Sequence, residues 1–301
     1  MTTNESRHSF QGQLIGVGRG RKPSDLGVVI VGFESASTIE DCIRRVLREP
    51  SVRRVIVVDN ASGDDTAARA EAIASRDPRV RVSRNSENRG FAAACNQGAS
   101  ALDTPWVAFI NPDCFVELGT LERLVTLAID CAGAGLLGVV QVDEAGVEDP
   151  ASRRRDASLV EAMRHFGRKP DWFLGRDPAE DLQEVEAVSG ALILMPLGLF
   201  LQLSGFDEDY LMHFEDLDLC RRVRAAGYEV RIANKLKTTH VRGVSSRARP
   251  LWVHWQKYRS FWRYFEKFED EEIDEPQRTG LRLGLWAHFV ATLPKALLGR
   301  S

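Results

Sequence analysis

What most narrows the folds open to this chain is a repeated unit: a short apolar, β-branched run that stops on a polar turn, followed by a segment with helical periodicity. Residues 26–31, LGVVIV, read as a strand buried on both faces. Ile39, Cys42, Ile43, Val46 and Leu47 then follow at helical spacing, behind a Ser37/Glu40 capping box. Residues 55–58 form a second strand, which ends in the turn Asp59-Asn60-Ala61-Ser62-Gly63, with Ser62 and Asp65 placed to cap the next helix. Residues 80–83 and 106–110 give a third and a fourth strand, with a helix of small residues over 91–101 between them. A further short strand over 136–140 runs into a turn at 143–146. This alternation predicts an α/β fold, a mostly parallel sheet flanked by helices on both faces.

Residues 147–181 carry few periodic signals and read as a long irregular insertion, the kind that tends to serve function. The apolar pattern resumes as a strand over 185–195. Residues 215–226 then read as a charged helix stopped by Gly227, and residues 228–232 as the last core strand. Beyond it, Trp252, Trp255, Tyr258, Trp262 and Phe265 recur every three or four residues, with Lys257, Arg259, Arg263 and Lys267 between them. A second amphipathic segment runs through Leu281, Leu285, Phe289, Leu293 and Leu297. The expected organisation is a disordered basic tail over 1–24, an α/β domain over 25–245 and an amphipathic helical extension over 246–301. Gly16, Gly18 and Gly20 imitate part of a dinucleotide-binding loop, but they precede the first strand and carry no weight.

Composition removes several classes of function. The net charge of −3 supplies no basic field of the kind that drives general nucleic-acid binding, so an anionic ligand must be met locally. The five cysteines are widely spaced and contain no C-x-x-C pair, which argues against zinc or redox work and for reduced thiols in the cytosol. No apolar run approaches the roughly 20 residues of a membrane span, and the first residues lack the apolar stretch of a signal peptide. A cytoplasmic protein is expected, free or lying at the inner face of the cell membrane.

In open α/β sheets ligands settle beyond the carboxyl ends of the strands. Phe33 and Glu34 follow strand one, Asp59 and Asn60 strand two, and Asn111, Pro112 and Asp113 strand four, so the three sets should meet on one rim. Asp59 either accepts hydrogen bonds from a nucleobase or only shapes its turn. Asn88, Gly90, Ala92, Ala93, Ala94 and Asn96 form a helix entrance with little side-chain bulk, which admits a phosphate or ribose or serves tight packing. Asp113 stands where a hard cation bridging a diphosphate finds an oxygen ligand. Glu215, Asp216 and Asp218 open a helix. They either complement its positive end, with Asp218 paired to Arg222, or present Glu215 or Asp216 as a general base. His240 is open as a metal ligand, a phosphate contact or a structural imidazole.

In their order and spacing, Val28 to Glu34, Val55-Ile-Val-Val-Asp-Asn-Ala-Ser-Gly63, Asn88-Arg-Gly-Phe-Ala-Ala-Ala-Cys-Asn96, Phe109-Ile-Asn-Pro-Asp113, Val188-Ser-Gly-Ala191 and the stretch from Gly205 to Arg222 resemble glycosyltransferase family 2, with its GT-A fold. The resemblance implies an inverting transfer of a sugar from a nucleotide diphosphate donor to a hydroxyl acceptor, with Mg²⁺ or Mn²⁺ as cofactor. It assigns Phe33, Glu34 and Asp59 to the base and ribose, Asn88, Gly90 and Asn111 to the donor pocket, and Asp113 and His240 to the metal. Ser189, Gly190 and Ala191 become the acceptor wall, and Asp216, with Glu215 second, the base. The chain departs from the family's D-x-D by carrying Asn111 in place of the first carboxylate, which weakens the expected hold on metal.

The N-P-D form resembles the branch that includes rhamnosyltransferases of cell-wall and O-antigen assembly. That branch implies a dTDP-L-rhamnose donor and a glycan or polyprenyl-diphosphate-linked acceptor. Two rivals stand beside this reading: a degenerate transferase that only binds nucleotide sugar or glycan, and a sugar nucleotidylyltransferase. The second needs a Gly-rich basic loop after strand one, where this chain has residues 33–37, FESAS. The aromatic, basic helices are expected to lie on a membrane, to pack on the core or to join a second subunit in a homodimer.

Overall fold

The computed structural model describes residues 22, 24–156, 172–241, 250–269 and 273–297. Among them the strands are β1 (Leu26–Gly32), β2 (Val52–Asp59), β3 (Val80–Arg84), β4 (Trp106–Ile110), β5 (Cys114–Val116), β6 (Ala134–Val142), β7 (Leu182–Val185), β8 (Leu192–Pro196) and β9 (Glu229–His240). The helices are α1 (Ile39–Leu47), α2 (Thr66–Ala74), α3 (Phe91–Ser100), α4 (Thr120–Asp130), α5 (Leu197–Gln202), α6 (Glu215–Ala225), α7 (Pro250–Phe268) and α8 (Glu275–Leu297). The strands form one sheet in the order β3-β2-β1-β4-β8-β6-β9-β5, with β7 also pairing on β9.

The parallel expectation holds for β3-β2-β1-β4 and for β6 with β9, while β8, β5 and β7 pair antiparallel with their neighbours. Every residue of β1, β4 and β6 is buried, as strands covered on both faces must be. On one face Val29, Phe109, Leu136 and Ile193 pack with Phe200, Phe206, Tyr210 and Leu219 of the segment around α5 and α6. On the other, Val28, Ile30, Val55 and Trp106 pack with Cys42 and Ile43 of α1 and Leu121 and Leu124 of α4. The two layers hold the strand ends still, so the polar residues beyond them have fixed places. All five cysteines are free thiols.

Several expectations need correction. The apolar run 185–195 is two strands, β7 and β8, separated by a turn at Gly190-Ala191. Ala187, Val188 and Ala191 between them are also buried, so hydrophobicity alone cannot show the break. The last core strand continues past Ile232 to His240, because β9 slips register on β6 between Ala233 and Lys237 and absorbs its polar residues there. His240 is therefore the last residue of a strand and not part of a following loop. The Ser37/Glu40 box does not form: Thr38 is the N-cap and makes no side-chain capping bond, while Thr38 N and Ile39 N both donate to Ser35 O at 3.0 Å. Before α2, Asp64 takes the role expected of Ser62 and Asp65, accepting from Thr66 N and reaching back to Ala36 N, each at 3.0 Å.

The insertion is tied to the sheet on both sides. Arg154 pairs its backbone with Phe173 and with Ala187, and Ser152 Oγ accepts from Gln141 N at 2.9 Å. The centre of that insertion, the tail over 1–21 and the boundary at 245/246 lie outside the described residues.

Candidate active site

Five strand ends deliver the expected residues to one rim. At the β2 end, Asn60 N donates to Gly32 O at 2.8 Å, which brings the β1 and β2 turns together. Glu34, with a left-handed backbone at φ 51°, receives Gly63 N on Oε1 at 2.7 Å and gives its own N–H to Ser62 Oγ at 3.1 Å. Phe33 lies between these turns, half-buried. Asp59 is 3% exposed; its Oδ2 accepts from Ser62 N at 3.3 Å, while its buried Oδ1 has no partner among the described residues. An unsatisfied buried carboxylate oxygen costs about 1–3 kcal/mol or more, and a ligand N–H removes that cost. Such an atom fits the nucleobase half of the two readings of Asp59 better than the turn-forming half.

Asn60, which sequence reasoning left off the list of site residues, organises the next stretch. Its Nδ2 donates to Asn88 Oδ1 at 2.9 Å and to Gly90 O at 3.1 Å, and its Oδ1 accepts from Asn85 Nδ2 and Arg89 N. Asn88 Oδ1 also accepts from Gly90 N at 3.0 Å, so Asn88 is a brace for the loop as much as a wall of it. Gly90 sits at φ 85°, and a Cβ there would lie 3.1 Å from Leu211 Cα and O. Only glycine allows that conformation and that approach. Phe91 N then donates to Leu211 O at 3.3 Å, which joins the α3 entrance to the loop before the acid pair.

That loop is strained. His213 and Phe214 hold φ 67° and 70° in succession, a conformation costly for side chains with a Cβ. It persists because α7 grips it: Ser260 Oγ donates to Met212 O at 2.8 Å, and Phe214 packs on Phe261 and Tyr264. Lys267 pairs with Asp218 at 2.5 Å and with Asp207 at 2.7 Å. Asp218 also pairs with Arg222 at 2.5 Å, as its helical spacing implies, so its role is structural.

Glu215 and Asp216, each 9% exposed, have opposite environments. Burial and then the neighbouring Asp216 carboxylate push Glu215 up to about 8. Burial also works to raise Asp216, but the adjacent Arg154 guanidinium, together with hydrogen bonds from Arg154, Gly190 N and Leu217 N, holds it below the ordinary carboxylate range. Gly190 N reaches Asp216 Oδ2 at 2.9 Å and Leu217 N reaches Oδ1 at 2.8 Å. A Cβ on Gly190 would sit 3.2 Å from Asp216 Cβ, so this glycine lets the β7–β8 turn lie directly on the acid. Ala191 N donates to Ser189 Oγ at 3.4 Å, and Ala191 O accepts from Asn111 N at 2.9 Å, which links the turn to the β4 end. Arg154 was missed by sequence reasoning. It lies in the insertion, and only the fold brings it to an acid 62 positions away.

Asp113 and His240 meet through the antiparallel pairing of β5 and β9, with His240 Nε2 3.3 Å from Asp113 Oδ1. His240 Nδ1 faces Gln141 Oε1 at 3.2 Å. With that oxygen accepting, Nδ1 carries the proton, and the Nε2 lone pair points at a carboxylate. Two electron-rich atoms so placed suit a shared cation, and the outward hydrogen bond on the far nitrogen is the usual support of a metal-bound imidazole. No cluster of three or more His, Cys, Asp or Glu that could hold a metal ion exists among the described residues, so a divalent ion here would need further ligands from outside the chain. A concavity of about 990 Å³ lies elsewhere, between α1 and α2, lined by residues such as Arg44, Arg69 and Asp77 and by none of these groups.

A sheet with β3-β2-β1-β4 parallel, an antiparallel β8 beside it, and carboxylates gathered at the strand ends facing a helix-borne acid pair define the GT-A glycosyltransferase class of fold. The chain belongs to glycosyl transferase family 2, whose sequence profile matches residues 27–179. It is 32% identical over 195 residues to N-acetylglucosaminyl-diphospho-decaprenol L-rhamnosyltransferase of Mycobacterium tuberculosis, a match covering 58% of this chain and 62% of that protein, under two thirds of its length. It is 37% identical over 127 residues to the succinoglycan biosynthesis protein ExoO of Rhizobium meliloti, covering 40% of this chain and 36% of the relative. Among solved structures it resembles a mannosyltransferase from Pyrobaculum calidifontis in complex with GDP-Man and Mn²⁺, with TM-score 0.58 and 17% identity over 98% of this chain and 81% of that one.

Proposed function

We propose that this chain is an inverting glycosyltransferase that moves L-rhamnose from dTDP-L-rhamnose to a hydroxyl of a polyprenyl-diphosphate-linked glycan, in cell-wall or surface-polysaccharide assembly. What supports the reading is a continuous circuit of contacts: Asp59 and Asn60, Gly90 and Leu211, the strained turn into Glu215 and Asp216, then Gly190, Ala191, Asn111, Asp113 and His240. The rhamnosyl group and the polyprenyl-diphosphate acceptor are taken from the rhamnosyltransferase relative, and the dTDP carrier from the resemblance of the N-P-D form.

In this reading Phe33, Glu34 and Asp59 take the base and ribose, with Asp59 Oδ1 receiving a nucleobase N–H. Asn88, Gly90 and Asn111 border the donor. Ser189, Gly190 and Ala191 flank the acceptor. Asp216 receives the proton of the attacking hydroxyl through Oδ1, where one backbone N–H leaves a lone pair for it. The hydroxyl oxygen closes a bond to the anomeric carbon as the bond to the diphosphate oxygen breaks, and configuration inverts. A divalent ion held by Asp113 and His240 would supply charge compensation for the leaving diphosphate. The domain is read as residues 25–245, with 246–301 as an appended helical unit.

The test is to incubate the protein with dTDP-L-rhamnose and other nucleotide sugars, Mn²⁺ or Mg²⁺, and a lipid-linked acceptor, and to measure released nucleoside diphosphate. Release that depends on acceptor is the expected result; donor binding without release across acceptors establishes the binding-only rival that Asn111 invites. A second expectation concerns Asn111 itself. Asn111→Asp adds a hard anionic ligand beside Asp113, and calorimetric titration should show Mn²⁺ bound about tenfold more tightly in the presence of nucleoside diphosphate. Unchanged affinity places residue 111 outside the cation's reach.

A further inference from the structure

The aromatic, basic C-terminal helices divide into two faces. On the inner side, Tyr264 and Phe265 of α7 are 1% exposed, and Ser260, Arg263 and Lys267 hold the loop before the acid pair. Between the helices, His254 stacks on Phe289, Trp255 meets Trp286, and Tyr258 bonds His288 and Thr292. Phe289 also packs on Trp255 and Tyr258, and Leu281 packs on Phe265. A second apolar stripe is exposed, with Trp286 at its edge against Trp255: Leu283, Trp286, Ala287 and Val290 follow at i, i+3, i+4 and i+7. Leu283 is 66% exposed, Trp286 47% and Val290 57%. Leu251, Trp252 and Trp255 continue the patch on α7, also exposed.

The charge around this patch is one-sided. Of the Lys and Arg on the two helices, Arg263 and Lys267 pair inward with Asp207 and Arg278 pairs with Glu275, while Arg259 and Arg282 are exposed cations beside the patch. From Pro276 to Leu297 there is no carboxylate. Exposed Arg259 and Arg282 border a small cleft of about 150 Å³ between Trp255, Trp262 and Trp286, and Arg282 lies over the Trp262 ring. Tryptophan and arginine beside an aliphatic stripe suit the boundary between anionic headgroups and acyl chains. A second copy fits less well, because a two-fold pairing brings this positive face against itself. No helix among the described residues is long and apolar enough to cross a bilayer, so the face would lie on a membrane and not through it.

We propose that the outer face of the α7–α8 hairpin, built on Trp252, Trp255, Leu283, Trp286 and Val290 and flanked by Arg259 and Arg282, docks on an anionic lipid surface. The geometry gives this docking a use. α7 also touches Met212 and Phe214 of the loop before the acid pair, so docking through this hairpin would set that loop near the membrane from which a polyprenyl-linked sugar is presented. The lipid-linked acceptor is taken from the proposed function, but docking is measurable without any sugar chemistry, so the two readings fail separately.

The experiment is cosedimentation of the full chain with vesicles of phosphatidylcholine alone or with phosphatidylglycerol added, with tryptophan emission recorded in parallel. Binding that requires the anionic lipid, weakens with salt and shifts the emission to the blue is expected. Leu283→Ser/Trp286→Ser and Arg259→Glu/Arg282→Glu should each reduce the bound fraction by at least about tenfold. Leu118→Ser, at an exposed leucine on α4's approach, should leave binding unchanged, and all three variants should melt as the parent does. Absence of binding to anionic vesicles overturns the proposal, as does binding that both double variants retain. Concentration-dependent self-association that the double variants abolish, without vesicle binding, assigns the face to a second copy and also overturns it.

Discussion

Asp216→Asn is expected to leave donor binding close to that of the parent and to lower turnover by roughly two to four orders of magnitude, the range for loss of a general base. The substitution keeps the shape of the side chain, and its amide oxygen can still accept a backbone N–H, so the turn on Gly190 need not move. What it removes is the charge that takes the hydroxyl proton and pairs with Arg154, so a lower melting temperature is expected beside the loss of turnover. The pH profile then separates the two acids. Asp216 is held below the ordinary range by Arg154 against the effect of burial, so it is ionised throughout the neutral region. A transferase that uses Asp216 shows no acid limb from this group above pH ~4. Glu215, pushed up to about 8 by burial and by Asp216, is mainly protonated at pH 7. A transferase that uses Glu215 gains activity as pH rises toward 8. A kcat/KM series from pH 5 to 9 with the parent and Asp216→Asn makes this distinction. Unchanged turnover in Asp216→Asn removes it from the role.

The residues at the ends of strands were legible because local pattern and general rule coincide there. Residues 106–110 read as a strand and are β4 to the residue, so Asn111 and Asp113 had to lie at its carboxyl end. Asp59 was legible in the same way as the last residue of β2, although that strand starts at Val52, three residues before the apolar run. What the sequence did not carry were relations made by long-range pairing. Nothing in the text near Asp113 points to His240, because the short β5 that brings them together, Cys114 to Val116, has no pattern of its own. Arg154 was invisible for a similar reason: its insertion lacks periodicity, and its position comes from a bridge to Ala187. Asn60 was read as half of a turn, yet its amide braces Asn88 and Gly90 across a distance in sequence. The aromatic helices left three alternatives open in the sequence: a membrane, the core or a second subunit. The fold shows that the inner side of α7 packs on the core, which leaves only the outer side for a lipid or a partner.

Arg154→Met is expected to destabilise the protein by about 3 kcal/mol at neutral pH, the lower end of what removing one partner of a buried pair costs. The lower end applies because the Arg154 and Asp216 side chains keep 18% and 13% of their exposure, so water screens part of the interaction. The guanidinium also donates to Val188 O at 2.5 Å, and that carbonyl loses its partner in the variant. The sign of the pH dependence follows from the depressed Asp216. Stabilisation from the pair is present above the unfolded carboxyl's pKa, ~3.9, and is lost as pH falls through the lower folded value. The difference in melting temperature between parent and variant should therefore be widest near pH 7, roughly 6–12 °C, and should close in acid. Activity should change in a way that mere loosening does not produce. Without the guanidinium, burial is opposed only by the Gly190 and Leu217 backbone donors, so Asp216 should rise and an acid limb in kcat/KM should emerge in the variant where the parent has none. Arg154→Lys restores the charge but not the fork that serves both Asp216 and Val188, and it should fall between the two. If Arg154→Met melts with the parent at pH 7 and shows no new acid limb, the ionisation of Asp216 is set by its backbone donors and the arginine has another task.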